Sequence, residues 1–477
     1  MKHLIPLLFL AAASLSAAEP HSPSFPPPKF LGDPATYGRN IQRTMRLLAT
    51  STPEQRNTVR VLFYGQSISE QAWWKTVAAD LRARFPQANL IIENRALGGF
   101  SSQRLVRCVE SDVVSFQPDL LIFHVFGAHD KYEDILRTVR ERTCAEILIQ
   151  GDHVSATDDW RGEETDLPKI TTKQWSSFMN YRHLPAMVAK YGTGFVDQRA
   201  VWKRYLTDYG LEAQALLKDN VHLNAHGEFL MAEWVKPHLV HRPELGPAAA
   251  DEWVKTIEVG ADVRWADGKL RVEFEGTRVE AIVGASRDSG PLTFRIDGRQ
   301  PSEFPELYGF TRALPKPGGK WPAIAPLHAA QTPVIEHWSM QVHRADAEGK
   351  RFTFSVSGSK TGTDGEGASD AKFVSKSGRV VIEPADWNVA YALGLAGVKP
   401  VPEQFTVNWS VVARFTDELS FATIQPDDRL PAPPRHDEAV TVASGLPNTK
   451  HTLEITGDAR APLRAIRVYR PPLGRDP

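Results

Sequence analysis

Cysteine is scarce in this chain, with only Cys108 and Cys144 among its 477 residues. Two thiols are too few to staple a small fold, and they form neither a CxxC pair nor a Cys/His spacing typical of zinc. The sequence therefore predicts no metal site built on cysteine. The two thiols either pair with each other or lie separately in the core, and we expect the second arrangement.

A net charge of one sign is also lacking, because 56 Lys and Arg residues balance 57 Asp and Glu residues. This balance excludes the electrostatic footprint of a nucleic-acid-binding protein. Long apolar runs are absent as well: the longest, residues 4–15, is too short to span a bilayer.

The beginning of the chain has the pattern of an export signal. Lys2 and His3 precede the apolar run, and small residues follow it at positions 16–18. A short membrane anchor is the alternative. We expect a signal peptide over residues 1–18, no integral membrane segment in the mature chain, and a secreted or periplasmic protein.

The length of the chain predicts two domains. After a Pro-rich and Ser-rich leader at 19–57, residues 58–245 alternate between short apolar runs and amphipathic stretches. Expected buried strands are 59–64, 90–94, 120–126, 146–151 and 194–197, and expected helices are 71–85, 103–116, 132–144, 172–191 and 225–239. This alternation predicts an α/β domain whose parallel sheet is covered on both faces and whose functional residues gather at the carboxyl ends of the strands.

From residue 250 to 477 the pattern changes to alternating apolar and polar positions between Gly, Pro and Asp turns. Strands are expected at 270–275, 279–283, 292–296, 352–356 and 406–415. The pattern predicts an all-β sandwich, jelly-roll-like, in which segments 275–280 and 445–453 belong to one unit. Residues 303–437 would then be a long insertion between its halves.

Four short segments carry candidate chemistry, each beyond a predicted strand or before the last predicted helix. They are Gly65-Gln66-Ser67, Asn94-Arg95-Ala96-Leu97-Gly98-Gly99, Gly127-Ala128-His129-Asp130 and Asp219-Asn220-Val221-His222. A serine hydroxyl becomes a nucleophile when a base, a group that orients the base and donors for an oxyanion surround it. Taken singly, the segments could be a helix cap, a tight turn and a loop pair. Together they indicate a hydrolytic site.

In this order, the segments resemble the motifs of the SGNH, or GDSL-type, hydrolase family. The resemblance covers roughly residues 58–240 and implies a flavodoxin-like three-layer α/β/α fold with esterase or lipase activity and no cofactor. It implies that Ser67 is the nucleophile, His222 the base and Asp219 the residue that orients it. The backbone N–H groups of Ser67 and Gly99, with the side chain at position 129, would form the oxyanion hole.

Two positions depart from the family pattern. Gln66 replaces an aspartate that proton transfer does not need, and His129 replaces an asparagine that would donate to the oxyanion. A neutral imidazole N–H can donate too, whereas losing such a donor costs about 10²–10³ in turnover. Asn94 is an alternative donor. Gln66, Asn94, Asp152 and His153 are expected to line the substrate site.

A secreted SGNH domain joined to a β-sandwich resembles polysaccharide acetylesterases, which implies removal of O-acetyl groups from an acetylated polysaccharide or oligosaccharide. Two alternatives remain open: a lipase or arylesterase, and a non-catalytic glycan-binding surface protein. Among the tryptophans of the β region, most of the following four are expected in its core: Trp321, Trp338, Trp387 and Trp409. Residues 361–367 are expected to form a hairpin rather than a cation site. The oligomeric state stays open.

Overall fold

The structure, a computed structural model, describes residues 25–284, 290–421, 438–458 and 461–474. The expected signal peptide at 1–18 lies outside these ranges, as do residues 19–24 of the expected leader and 422–437 of the expected insertion.

A parallel five-stranded sheet in the order β2-β1-β3-β4-β5 forms the centre of the first part of the chain. All five strand predictions are confirmed. The strands are β1 Thr58–Gly65, β2 Asn89–Asn94, β3 Leu120–His124, β4 Glu146–Gln150 and β5 Gly194–Val196. This is the flavodoxin-like strand order, which changes direction between β1 and β3 and leaves a crevice at their carboxyl ends.

Both faces of this sheet are buried, as the resemblance implied. Val61 and Phe63 of β1 belong to one hydrophobic core, whereas Leu62 and Tyr64 belong to another on the opposite face. Because side chains of a strand alternate between faces, the two cores require helices on both sides. The three-layer α/β/α fold is therefore confirmed.

Helices cover the sheet, and most lie where they were expected. They are α1 Gln42–Ala49, α2 Ser67–Glu70, α3 Trp73–Arg84, α4 Ser102–Leu105, α5 His129–Arg142, α6 Trp175–Phe178, α7 Leu184–Tyr191, α8 Gln198–Asp208 and α9 Ala225–Val235. Local patterns did not predict α1, α2 or α8. The start of α8 carried a local signal, because the Asp197 side chain caps it by accepting from the Ala200 N–H at 3.1 Å.

The helix expected over 103–116 is present but irregular. The segment contains α4, a 3₁₀ turn at Val106–Cys108 and a π-helical turn at Glu110–Val114. Ser111 Oγ donates to the Cys108 carbonyl at 3.0 Å, and such bonds back to the main chain bend helices.

Residues 25–57 lie against the α/β part. Ile41, Met45 and Leu48 are in one of its two cores, and the N–H groups of Arg43 and Thr44 donate to the buried Glu146 carboxylate. Cys108 and Cys144 are buried and unpaired in the described part of the chain, as expected. Burial raises the pKa of both thiols, that of Cys144 to about 12.

The second half of the chain folds into antiparallel sheets, which fit the predicted β-sandwich class. One sheet has the order β17-β8-β18-β7-β19-β6, and the long strands β7 and β18 pair along most of their length. The strands are β6 Val254–Glu258, β7 Lys269–Val283, β8 Leu292–Ile296, β17 Glu418–Leu419, β18 Glu438–Thr456 and β19 Leu463–Tyr469.

Segments 275–280 and 445–453 pair within that sheet, as predicted, with Glu275 opposite Lys450. The turn expected between 275 and 279 is wrong, because β7 runs through it as one strand. Bulges in β18 around Ala443 and Thr449 let the paired strands bend without breaking.

Residues 308–413 contain a second sheet, of order β10-β16-β11-β12-β13, with β9 paired to β16 and a separate small sheet of β14 and β15. Its own hydrophobic core includes Trp338 and Trp409. Its elements are β9 Tyr308–Phe310, β10 Leu314–Lys316, β11 His337–His343, β12 Thr353–Gly358, β13 Gly362–Ala368, β14 Phe373–Val374, β15 Val381–Ile382, α10 Val389–Leu395 and β16 Phe405–Ala413. We call residues 303–421 the insertion.

The insertion packs against the α/β part. Arg312 pairs with the buried Asp112 at 2.8 Å and also donates to the Arg95 carbonyl at 2.6 Å. Ala325 lies in the same hydrophobic core as Phe123 of β3. No helix among the described residues is both long and apolar enough to cross a bilayer.

Candidate active site

Ser67 lies directly beyond β1, at the carboxyl edge of the parallel sheet, and begins the short helix α2. The backbone approaches β3 closely here: a Cβ placed on Gly65 would lie 2.0 Å from the His124 carbonyl oxygen. A glycine is therefore required two residues before the serine. Ser67 is half-buried, and its Oγ forms no hydrogen bond with any described residue.

Asp219 and His222 form a hydrogen-bonded pair in the loop before α9. His222 Nδ1 lies 2.9 Å from Asp219 Oδ2. The other carboxylate oxygen of Asp219 accepts from the N–H groups of His222 and Val221, at 2.7 and 2.8 Å. These two backbone bonds, more than the imidazole, lower the pKa of Asp219 to about 2. The pair directs His222 Nε2 away from Asp219 and leaves it available to another group.

Gln71 connects the His222 loop to the segment that carries Ser67. Its amide nitrogen donates to the Leu223 carbonyl at 2.8 Å, and its amide oxygen accepts from the Leu223 N–H at 2.9 Å. Because Gln71 comes directly after α2 and Leu223 directly after His222, this two-bond contact brings the serine and histidine segments together.

A second set of contacts fixes the same loop from the β4 side. His153 Nε2 lies 2.7 Å from the Val221 carbonyl, and the Ala156 N–H donates to the Asn220 carbonyl at 2.8 Å. Burial lowers the pKa of His153, and its Nε2–H donates to the Val221 carbonyl. The structure thus places His153 beneath the loop, where it positions backbone.

Gly98 and Gly99 form a turn beyond β2 that faces Ser67. A Cβ on Gly98 would lie 3.6 Å from Ser67 Cβ. Gly99 is exposed, with φ of +81°, a backbone region that favours glycine. The Gly98 N–H donates to Glu70 Oε2 at 3.0 Å, whereas the Gly99 N–H has no acceptor in the described ranges.

Asn94 and Gln66 lie beside this turn. Both ends of the Asn94 amide are engaged: its nitrogen donates to the Ser69 carbonyl at 2.7 Å, and its oxygen accepts from the Ala96 N–H at 2.9 Å. Asn94 therefore joins the end of β2 to the serine segment. Gln66 is half-buried and precedes α2 without capping it through its side chain.

His129 is the first residue of α5 and lies in an aromatic cluster. Its ring stacks on Trp175 with centroids 5.6 Å apart and meets the edges of Phe178 and His183 at 4.8 and 5.0 Å. Its Nε2 is buried and has no hydrogen-bond partner among the residues described. Burial lowers the pKa of the ring. Only Nδ1 of a neutral His129 remains to face a substrate.

Asp152 lies just beyond the end of β4, in a half-buried pair that no local pattern predicts. His124 Nε2, at the end of β3, is 2.6 Å from Asp152 Oδ1, and the Asn180 amide donates to the other oxygen at 3.1 Å. Burial alone would raise the pKa of Asp152, but His124 and Arg199 outweigh it and lower the pKa. Nothing local marks His124, which reads as the last residue of a strand.

The insertion also reaches the edge of the site, and the sequence analysis named none of these contacts. Trp321 Nε1 donates to the Gly98 carbonyl at 2.7 Å, and the Tyr391 hydroxyl donates to the Gly99 carbonyl at 2.6 Å. Lys320 forms an ion pair with Glu70. Trp338 and Trp409 are buried as expected, whereas Trp321 and Trp387 are half-buried and pack against the edges of the hydrophobic cores.

No group of three or more His, Cys, Asp or Glu side chains that could hold a metal ion is present within the described ranges. Asp364, a cation candidate in 361–367, accepts instead from the N–H and hydroxyl of Ser377 at 2.9 and 2.6 Å. The expected hairpin is confirmed by the pairing of β12 with β13.

A cavity of 840 Å³ lies between the insertion and the α/β part, lined by residues that include Arg95, Asp112, Arg312 and Asn408. Neither Ser67 nor His222 lines it. The His222 side chain is 36% exposed and that of Asp219 is 52% exposed. The candidate site is thus open at the protein surface.

No protein-family description and no curated protein match this chain. Among solved structures, a protein described as a GDSL-like lipase from Parabacteroides merdae aligns with 18% identity and a TM-score of 0.32, over 39% of this chain and 97% of its own. An acetylxylan esterase from Geobacillus stearothermophilus aligns with 17% identity and a TM-score of 0.32, over 40% of this chain and 97% of its own.

A two-domain esterase active on acetylated mannans aligns over more of the chain: 91% of this one and 95% of its own, with 12% identity and a TM-score of 0.34. These three solved structures are thus described as a GDSL-like lipase, an acetylxylan esterase and an esterase active on acetylated mannans.

Proposed function

We propose that this protein is a serine ester hydrolase that forms an acyl-enzyme on Ser67. The observation that carries the proposal is the connection between the two halves of the site. The Asp219–His222 pair is held by Gln71 against the segment that begins with Ser67. A nucleophile, a base and a group that orients the base are the parts that acyl transfer requires.

In the proposed reaction, His222 Nε2 removes the proton of Ser67 Oγ as the oxygen attacks the ester carbonyl. The carbonyl oxygen becomes an oxyanion, which accepts hydrogen bonds from the Ser67 and Gly99 N–H groups. The intermediate collapses, and the leaving alcohol takes the proton from His222. Water then attacks the acyl-enzyme, gives its proton to His222, and releases the acid while Ser67 Oγ regains a proton.

Asp219 orients His222 throughout these proposed reaction steps. Its contact with Nδ1 keeps the Nδ1–H tautomer of His222, so that Nε2 is unprotonated and can act as the base. The two backbone bonds to its other oxygen keep the carboxylate ionised and correctly oriented.

We propose further that the substrate is an acetylated polysaccharide or oligosaccharide outside the cell. The openness of the site supports a large polar substrate with a small acyl group, because a long acyl chain needs an enclosed apolar pocket. The resemblance to SGNH polysaccharide acetylesterases points in the same direction. Export rests on the pattern of residues 1–18.

The test is acetate release from acetylated xylan, mannan, xyloglucan, pectin and alginate, together with hydrolysis of para-nitrophenyl acetate. The full chain is compared with Ser67→Ala and His222→Ala, and Ser420→Ala, an exposed serine far along the chain, is the control. We expect both activities to disappear in the first two variants and to persist in the control. Labelling of Ser67 by a fluorophosphonate tests the activated hydroxyl independently of the substrate.

Each result separates one part of the proposal from the others. Hydrolysis of the small ester without acetate release from any glycan would leave the serine chemistry and contradict the carbohydrate substrate. A preference for longer acyl chains would favour a lipase. No labelling of the serine and no hydrolysis would contradict the enzyme and favour a glycan-binding protein.

A further inference from the structure

We infer that the insertion completes the oxyanion hole, and that Trp321 is a positioning residue which orients the Gly98–Gly99 peptide. The inference rests on the proposed function and deepens it. It assigns to the β region a part in catalysis.

The Gly98 carbonyl and the Gly99 N–H belong to one planar unit and point in opposite directions. Trp321 Nε1 donates to that carbonyl at 2.7 Å. A donor that fixes the carbonyl therefore also fixes the direction of the N–H, and by polarising the peptide it makes the N–H a stronger donor.

A pair of glycines would not hold this orientation alone. Glycine has wide backbone freedom, and Gly99 already has φ of +81°. A rotation of the peptide would change the direction of the Gly99 N–H. An oxyanion donor lowers the barrier only when it is in place before the reaction begins.

Three of the four backbone polar groups of Gly98 and Gly99 have a hydrogen-bond partner among the described residues. Glu70 accepts from the Gly98 N–H, Trp321 donates to the Gly98 carbonyl and Tyr391 donates to the Gly99 carbonyl. Within the portion of the chain that the structure describes, the Gly99 N–H is the one without a partner. Two of the three anchors come from the insertion. The third, Glu70, is paired with Lys320 of the insertion.

The anchoring side chains are themselves held in place. The Arg104 guanidinium lies over the Tyr391 ring at 3.6 Å. The Asn388 side chain donates to the Pro322 carbonyl at 3.1 Å and thereby joins the segments that carry Tyr391 and Trp321. Both rings pack against the core of the α/β part. The anchors therefore form a rigid support for the turn.

Leu395 of α10 closes the remaining space. A Cβ on Gly99 would lie 2.8 Å from Leu395 Cδ2, so the leucine occupies the side of the turn that a larger residue would need. The insertion thus fits a glycine turn and holds it from three sides.

The test is Trp321→Phe, which removes the N–H but keeps an aromatic ring, in the full chain with para-nitrophenyl acetate. The control is Trp387→Phe. Trp387 also packs in the insertion, but its Nε1 is buried without a partner among described residues. We expect Trp321→Phe to lower kcat about 10-fold with KM within about twofold, since removing an oxyanion donor outright costs about 10²–10³. The control should keep the wild-type kcat.

Binding of a boronic acid, which forms a tetrahedral adduct with the serine, provides a readout that a merely structural role would not change. We expect Trp321→Phe to weaken this adduct by the same factor as kcat, while the affinity for acetate, a ground-state product, is unchanged. If Trp321→Phe does not fold, Tyr391→Phe makes the same test at the next peptide, because it removes only the hydroxyl that donates to Gly99.

The outcomes separate this inference from the proposed function. If Ser67→Ala is inactive but Trp321→Phe and Tyr391→Phe match the control in kcat and boronate affinity, the inference is wrong and the esterase stands. If Ser67→Ala keeps its activity, both are wrong. A loss in KM alone would also overturn the inference.

Discussion

Gln71 offers the sharpest test of how the fold assembles the candidate site. Its amide forms hydrogen bonds of 2.8 and 2.9 Å with both polar backbone groups of Leu223, next to His222. Gln71→Met keeps the length of the side chain and removes both bonds. Leu223 is 1% exposed, so its N–H and carbonyl would lose partners in a place that water reaches poorly.

The magnitude follows from the contacts. A buried backbone group left without a partner costs about 1–3 kcal/mol, and two such groups, partly rescued by relaxation, give a loss of about 2–3 kcal/mol in the free energy of unfolding. His153 and Ala156 still hold the loop from the β4 side. His222 should therefore be displaced only slightly in Gln71→Met. A misplacement of about 1 Å costs up to about 10²-fold in turnover. We expect kcat to fall about 10-fold to 100-fold with little change in KM.

The assay combines urea unfolding with steady-state hydrolysis of para-nitrophenyl acetate. Gln341→Met is the matched control, because Gln341 is also half-buried and its amide donates to main-chain carbonyls at 3.1 and 3.3 Å, but in the second sheet. It should lose stability without losing turnover relative to the folded fraction. Wild-type kcat in Gln71→Met, with Ser67→Ala inactive, would refute the reasoning that this contact positions the base.

Three further predictions concern single groups. Asp219→Asn should lower kcat by up to about 10⁴-fold, because it allows the wrong tautomer of His222. Folding lowers the pKa of the Asp219 carboxyl to about 2, so the stability that this residue adds should be constant above pH about 4 and decline towards pH 2. Urea unfolding of the wild type and Asp219→Asn across this pH range measures the difference in stability, and a difference that does not change with pH would contradict the prediction. Gly99→Ala should destabilise the protein by at least about 1–2 kcal/mol, because alanine is strained at positive φ and its Cβ would meet Leu395. The same substitution should slow hydrolysis. Unchanged thermal unfolding would count against the described turn. Cys108 and Cys144 should react with a thiol reagent only after denaturation, since both are buried and burial raises the pKa of each, and rapid labelling of the native protein would contradict this.

The two halves of the chain contribute different parts of the proposed active site. The α/β part contains the proposed nucleophile and base, whereas Trp321 and Tyr391 of the insertion contact the turn that carries the proposed oxyanion donor. A β region in this position can act on turnover and on substrate access at once. Removing it should impair the chemistry even with a small ester, which distinguishes it from an appended glycan-binding module.

Sequence patterns that extend over only a few residues determined the parallel strands and the Asp219–His222 pair of this protein. Alternating and continuous apolar runs predicted all five parallel strands, because a buried strand needs apolar side chains on both faces. The spacing of Asp219 and His222 indicated their pairing, since three residues of a turn suffice to bring the two side chains to 2.9 Å. The role of Ser67 as a nucleophile stays a prediction that labelling can test.

Only the tertiary structure determined the partners that surround those residues. Trp321 and Gly98 are 223 positions apart, and Gln71 and Leu223 are 152 apart. No local periodicity encodes such contacts, because they depend on how whole layers pack. The sequence also left His129 free to face an oxyanion, whereas the packed aromatic side chains of α6 bury its Nε2. Local propensity determines the elements and their ends, and the packing of distant surfaces determines which groups remain available for chemistry.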